Sequence, residues 1–147
     1  ADGRGMAAAF ALGAEGINMG TRFFATQEAP VHANIKQALV DASERDTRLM
    51  FRTLNNTTRA LRNAVSEEVV ATERRPGGCT FEDIRPLVAG TRGRDALLSG
   101  DAQGGVIAAG QVVGLIDAPL DMNHCFFTDG AVANPGPTHR KVVGFGR

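Results

Sequence analysis

Few residues in this 147-residue chain are placed to do chemistry, and the most suggestive sit near its start. A short apolar run, Gly16-Ile17-Asn18-Met19, is closed by Gly20-Thr21-Arg22. Gly20 has no Cβ, so its N–H can reach an anionic oxygen, and Thr21 adds a second N–H and a hydroxyl. A glycine turn with such donors is a common phosphate cradle. The same turn also serves as a plain αβ connection that needs a small residue. Arg22 either approaches the phosphate from the following loop or makes a surface ion pair. The remaining candidates are weaker. No Ser-His-Asp or Cys-His arrangement stands out. Asp121, His124 and Cys125 are neighbours, but their spacing matches no zinc pattern. His32 opens a helix and is expected to be exposed, and His139 lies further out.

Several elements must position the turn. Asp2 can cap an alanine-rich helix over residues 3–12, with Met6, Ala9 and Phe10 on one face and Gly13 at the C-terminal cap. Residues 16–19 then read as a short parallel strand covered on both faces, and residues 21–30 as a loop. Val31, Ile35 and Leu39 recur at helical spacing and predict an amphipathic helix over 30–42. Residues 43–46 make a charged turn. Alternation over 49–54 predicts an extended segment. Asn55-Asn56 then offers a cap for a long helix over 57–73 with Leu61, Val65 and Val69 as its stripe. Pro76-Gly77-Gly78 ends it. Thr80 to Asp83 reads as a capping box before Ile84, Leu87 and Val88, with Pro86 out of place in the helix. Residues 91–105 are polar and glycine-rich and read as a loop. Val106, Ala109, Val113 and Ile116 predict a last amphipathic helix. From Asp117 on no period is sustained, and residues 119–147 are expected to be an irregular tail.

Composition narrows the function classes. Hydrophobic residues make up 43% of the chain, enough for a core, and 16 basic residues balance 16 acidic ones. Nothing in that balance suggests nucleic acid or an anionic membrane. No apolar run approaches the ~20 residues that span a bilayer. The pattern of a signal peptide is missing. Cys79 and Cys125 are too few for a disulfide framework. A reducing, cytoplasmic setting is the simplest reading.

Three blocks carry a resemblance: ADGRGMAAAFALGAEGINMGTRFFATQEAPVHANIKQAL, RNAVSEEVVATERRPGG and AGQVVGLI. Together, over about residues 1–118, they resemble the C-terminal part of the nitronate monooxygenase family, the FMN-dependent 2-nitropropane dioxygenase group. The resemblance implies an α/β fold, the C-terminal portion of a (β/α)8 TIM barrel with extra helices. A whole barrel takes about 250 residues, so this chain is expected to be an incomplete one. FMN is implied at the C-terminal face of the strands. Gly20 and Thr21 would lie in the loop after strand 8, and Asp2-Gly3 in the loop after strand 7. Gly3, Met19, Gly20 and Thr21 carry over as the residues at the FMN phosphate, with Gln111 a weaker candidate. The family's catalytic histidine lies in an earlier glycine-rich motif that has no counterpart here, so no catalytic residue is assigned. No metal is implied. Ile107 departs from the family, where tryptophan is usual, which puts a flavin-side contact there in doubt.

The activity implied is oxidation of alkyl nitronates with O2 to carbonyl compounds and nitrite. Relatives of the same fold resemble NAD(P)H:quinone reductases or FMN-dependent enoyl reductases. A third reading makes the chain an inactive fragment or a helical interaction module. An opened barrel would leave strand edges and apolar helix faces uncovered, so self-association is expected in that case.

Overall fold

The computed structural model describes residues 3–116. Helix α1 (Gly3–Ala11) forms where alanines, the best helix formers, are concentrated. It ends as its glycine predicts. Gly13 takes φ +93° and donates to the Phe10 carbonyl at 2.9 Å, while the Ala14 N–H donates to the Ala9 carbonyl at 3.0 Å. This is the paired bonding of a Schellman cap. Nothing in α1 is buried, and Leu12 just past it is 90% exposed. The expected cap by Asp2 lies outside the described residues, as does the tail from Asp117, with His124, Cys125, Asp121 and His139.

The strand expected over residues 16–19 is not formed. A parallel strand exists only through hydrogen bonds to neighbours, and among the described residues none runs beside it. Ile17 and Met19 are half-buried in an irregular segment. Residues 21–30, expected as loop, begin with a single helical turn, α2 (Thr21–Phe24). Helix α3 (Ala33–Asp41) lies within the predicted span and buries Ile35 and Leu39. His32 is exposed and caps α3, its Nδ1 accepting from the Asn34 N–H at 3.1 Å.

The largest departure follows. The predicted extended segment and long helix are instead a hairpin and a shorter helix. Strands β1 (Thr47–Met50) and β2 (Thr58–Leu61) pair antiparallel, with Thr47 opposite Leu61 and Met50 opposite Thr58. Phe51 and Asn55 take φ of 62° and 55° in the turn. Helix α4 (Ala64–Glu73) begins only at Asn63, whose side chain accepts from the Ser66 N–H at 2.9 Å, while Ser66 Oγ accepts from the Asn63 N–H at 2.8 Å. The helical stripe was real for Val65 and Val69, but Leu61 belongs to the strand. At its other end, α4 holds the hairpin turn. Glu73 accepts from the backbone N–H groups of Phe51 and Thr53, at 3.0 and 3.2 Å, and from the Thr53 hydroxyl.

Helix α5 (Phe81–Val88) opens on the predicted capping box. Asp83 accepts from both the N–H and the hydroxyl of Thr80, each at 2.7 Å. Pro86 is accommodated inside it. The expected loop after it is helix α6 (Gly90–Ser99), closed by Gly100 at φ +81°. The expected last helix is also corrected. Residues 106–109 are extended and flank β2: the Leu61 N–H donates to the Ile107 carbonyl at 2.8 Å, with Ala60 bridged to Ala108. Only then comes a 3-10 helix, Gln111–Leu115.

Strand alternation sorts the core into two parts. Met50 and Ala60 share one sheet face with Val65, Val69 and Ile84. Leu61, Ile107 and Ala109 share the other with Ile35, Leu39, Val113 and Ile116. Thr47 and Arg59 lie on this second face as diagonal neighbours, opposite Leu61 and Leu49 respectively.

Candidate functional site

A cleft of about 420 Å³ opens beside that second face. Its walls are Phe24, Leu97 and residues 106–110, and its polar groups come from Gly20, Thr21 and Arg59. Two of the four predicted cofactor residues, Gly20 and Thr21, therefore line one cavity. Gly3 and Met19 do not line it: Gly3 opens α1, and Met19 precedes the turn. Gln111 is exposed at the start of the 3-10 helix and does not line it either. Ile107 does, at 1% exposure, from an extended segment rather than the helix expected there.

The turn is pinned across the molecule. The Gly110 N–H donates to Thr21 Oγ1 at 2.8 Å, tying α2 to the far wall of the cleft. That wall is fixed in turn by Asn63, whose amide donates to the carbonyls of Ala102 and Gly105, both at 2.8 Å. The amide thereby joins the start of α4 to the approach of the cleft segment. Gly20 has φ −95° and ψ −73°. A Cβ built on it would meet nothing within 4 Å, so the backbone there is open to approach. The N–H groups of Thr21 and Arg22 open a helical turn and have no acceptor within it. Open backbone, orphan donors and a hydroxyl at one corner of a cavity are what a phosphate monoester needs. The residues present fit that part of FMN.

Arg22 follows this corner in sequence, and Arg59 lines the cleft. Arg22 Nη1 is buried and has no hydrogen-bond partner. Arg59 donates from Nη1 to Thr47 Oγ1 at 2.8 Å, and the Thr47 hydroxyl is within 3.4 Å of the Glu44 carbonyl. Arg59 was not singled out in the sequence. Its one signal is a charged residue in the β-branched run TTRAL, a run that helical spacing places in a helix.

Charges elsewhere have structural partners. Burial pushes the Glu67 carboxyl up. Hydrogen bonds from Arg48 Nε and Arg62 Nε, at 2.6 and 2.8 Å, outweigh it and hold Glu67 below its ordinary value. Hydrogen bonds from the Ser43 hydroxyl and N–H lower Asp46. Burial, with Asp83 and Glu73 nearby, raises the Cys79 thiol, so it is a poor nucleophile. Among the described residues no cluster of three or more His, Cys, Asp and Glu is placed to hold a metal ion. No helix among them is long and apolar enough to cross a membrane.

Helices packed around a small sheet make the described part an α/β structure. The chain belongs to the nitronate monooxygenase family, whose model matches residues 1–124. A probable nitronate monooxygenase of Staphylococcus aureus is 34% identical over 68 residues, 46% of this chain and 19% of its own. A (3aS,4S,5R,7aS)-5-hydroxy-7a-methyl-1-oxo-octahydro-1H-indene-4-carboxyl-CoA dehydrogenase of Rhodococcus jostii is 31% identical over 90% of this chain. Among solved structures, FabK from Thermotoga maritima superposes with a TM-score of 0.72 at 40% identity over 82% of this chain. The chain spans 47% of the length of the Rhodococcus dehydrogenase and 37% of FabK.

Proposed function

We propose that this chain is the flavin-phosphate-holding part of an FMN-dependent nitronate monooxygenase working in the cytoplasm. Residues 1–118 would supply the C-terminal portion of its TIM barrel. Gly20 and Thr21, at the corner of the cleft, hold the FMN phosphate, and Met19 and Gly3, outside the cleft lining, belong to the same assignment. The flavin, when bound, supplies the redox chemistry: an alkyl nitronate is oxidised with O2 to a carbonyl compound and nitrite. The chain's own residues bind and orient. Thr21, locked to Gly110, fixes the turn relative to the apolar wall, and Phe24, Leu97 and Ile107 keep water from the cavity. No catalytic group is assigned among residues 3–116.

The observation that carries this reading is the open approach at Gly20 in a corner that Thr21 and Gly110 hold together. FMN titration by quenching of flavin fluorescence tests it. Because a Cβ at residue 20 meets open space in the fold, Gly20→Val should leave the folded chain intact and obstruct only an incoming phosphate. Affinity for FMN should fall at least about tenfold, the weight of a charge-assisted hydrogen bond or more. Unchanged affinity in a folded Gly20→Val chain overturns the assignment.

A second reading keeps the cofactor and changes the reaction. The thioester dehydrogenase of Rhodococcus aligns with 90% of this chain, whereas the staphylococcal nitronate monooxygenase aligns with 46%. That favours an oxidoreductase of a CoA thioester, such as an FMN-dependent enoyl reductase; an NAD(P)H:quinone reductase of the same fold is the remaining alternative. The protein's oxidation of NAD(P)H by enoyl thioester or quinone, without nitrite release from nitronates, selects it.

A further inference from the structure

Beside the polar turn of Gly20 and Thr21, the cleft holds one cation in an apolar surface. Phe24, Leu97, Val106, Ile107, Ala108 and Ala109 supply that surface, and among the described residues no acidic side chain lines it. Arg59 stands in that surface, half-buried. Of the three arginines on or next to the hairpin strands, Arg48 and Arg62 both pair with Glu67, while Arg59 forms no ion pair among the described residues. The Arg59 guanidinium is also aimed. Thr47 lies one register step along the same sheet face, is 5% exposed, and accepts from Arg59 Nη1. The Thr47 hydroxyl is itself oriented toward the Glu44 carbonyl. One edge of the fork is thus held by the protein, and among the described residues no carboxylate pairs with the other donors.

A guanidinium presents parallel N–H donors that match a two-oxygen anion, and it is more weakly hydrated than an ammonium. Arg59 is half-buried and none of its nitrogens is both buried and unpartnered, so a ligand can reach its remaining donors. We propose that Arg59 is the anion anchor of the cleft. It takes the two-oxygen anionic head of a ligand whose small apolar body lies against Phe24, Leu97 and Ile107. An alkyl nitronate, a carboxylate and a phosphate share this chemistry, so the anion is either the substrate's or the flavin's. The inference names the ligand chemistry of the site assigned above and rests on that reading for the substrate class. Thr47 acts through Arg59 as a positioning residue.

The test uses the whole 147-residue chain and chemical-shift titrations with three probes of one shape: propane-2-nitronate, isobutyrate and neutral 2-nitropropane. The wild type should prefer both anions to the neutral compound. Arg59→Met should abolish that preference, with anion affinity falling at least about tenfold and 2-nitropropane unaffected. Arg59→Lys, which keeps the charge and loses the fork, should fall between. Thr47→Val, which keeps the volume and loses the acceptor, should lose part of the preference, and either of these two serves if Arg59→Met fails to fold. A parallel titration with FMN and riboflavin separates the sources. If Arg59→Met removes the discrimination between these two instead, the anchored anion is the flavin phosphate. The proposal is overturned if folded Arg59 variants keep both the preference for the small anions and the discrimination between FMN and riboflavin, or if the wild type shows neither. Failure of the flavin reading looks different: FMN affinity would be unchanged in Gly20→Val while the dependence on Arg59 persists.

Discussion

Thr21 and Gly110 lie 89 residues apart in sequence and share one hydrogen bond, the Gly110 N–H donating to Thr21 Oγ1 at 2.8 Å. Two walls of the cleft are thereby joined by a hydroxyl. In the function proposed above, the same hydroxyl offers its own proton to the ligand, so that one side chain would serve both the geometry of the cavity and its chemistry.

Thr21→Val keeps the shape of this residue and removes the acceptor, leaving the part-buried Gly110 N–H without a partner. We expect a loss of about 1–3 kcal/mol in unfolding free energy, measured by urea denaturation. FMN affinity should fall more than stability alone accounts for, because the folded fraction stays near unity. A stability unchanged within error would show that the bond is not formed in solution.

Asn63 makes a sharper case, because each of its functions can be removed separately. Its oxygen caps α4 and its amide nitrogen holds the carbonyls of Ala102 and Gly105. Asn63→Asp keeps the cap but turns a carboxylate toward two carbonyl oxygens in a residue only 4% exposed. We expect it to cost about 2–5 kcal/mol, as much as Asn63→Ala or more, although aspartate is an equally good cap. An Asn63→Asp chain as stable as the wild type would mean that the cap alone matters.

Gly100 closes α6 at φ +81°, and a Cβ there would lie 2.2 Å from Nδ1 of His32. Gly100→Ala should therefore strain the backbone and push the His32 ring off its bond to the Asn34 N–H. The expected cost is about 1–3 kcal/mol. Hydrogen exchange at the Asn34 amide should quicken in the variant, and an unchanged rate there would separate the strain from the cap.

Acid should loosen the hairpin and α5 in a defined direction. Glu67, Asp46 and Asp83 are all held below their ordinary values, 4.5 for Glu67 and 3.8 for the two aspartates. A lowered value in the folded state means that the unfolded chain takes up the proton first. The stabilisation is full above those ordinary values and is lost as pH falls through the lower folded ones. A melting temperature that is flat near neutrality and drops below about pH 4.5 is expected, and Glu67→Gln should blunt the drop. These groups are mostly exposed, so each contribution is small.

Local rules in the sequence determined the elements whose signals are local. The Gly13 cap of α1, the helical stripe of α3 and the Thr80–Asp83 box of α5 all read correctly, because each depends on residues within a turn of one another. The glycine turn at Gly20-Thr21 was legible for the same reason. The hairpin was not. The spacing of Leu61, Val65 and Val69 fits a helix from either side, and only the pairing of Thr47 with Leu61 makes the first of them a strand residue. Residues 106–109 likewise hold a helical spacing with Val113, yet they lie extended because β2 offers an unpaired edge. The strand predicted over 16–19 failed for the converse reason, since extended backbone without a neighbour has nothing to bond. The cleft followed the pairing: Arg59 reaches it only because β2 is a strand whose side chains alternate between faces. Local sequence singled out Gly20 and Thr21 for the phosphate site proposed above, and long-range strand pairing decided that Arg59 would line the same cleft.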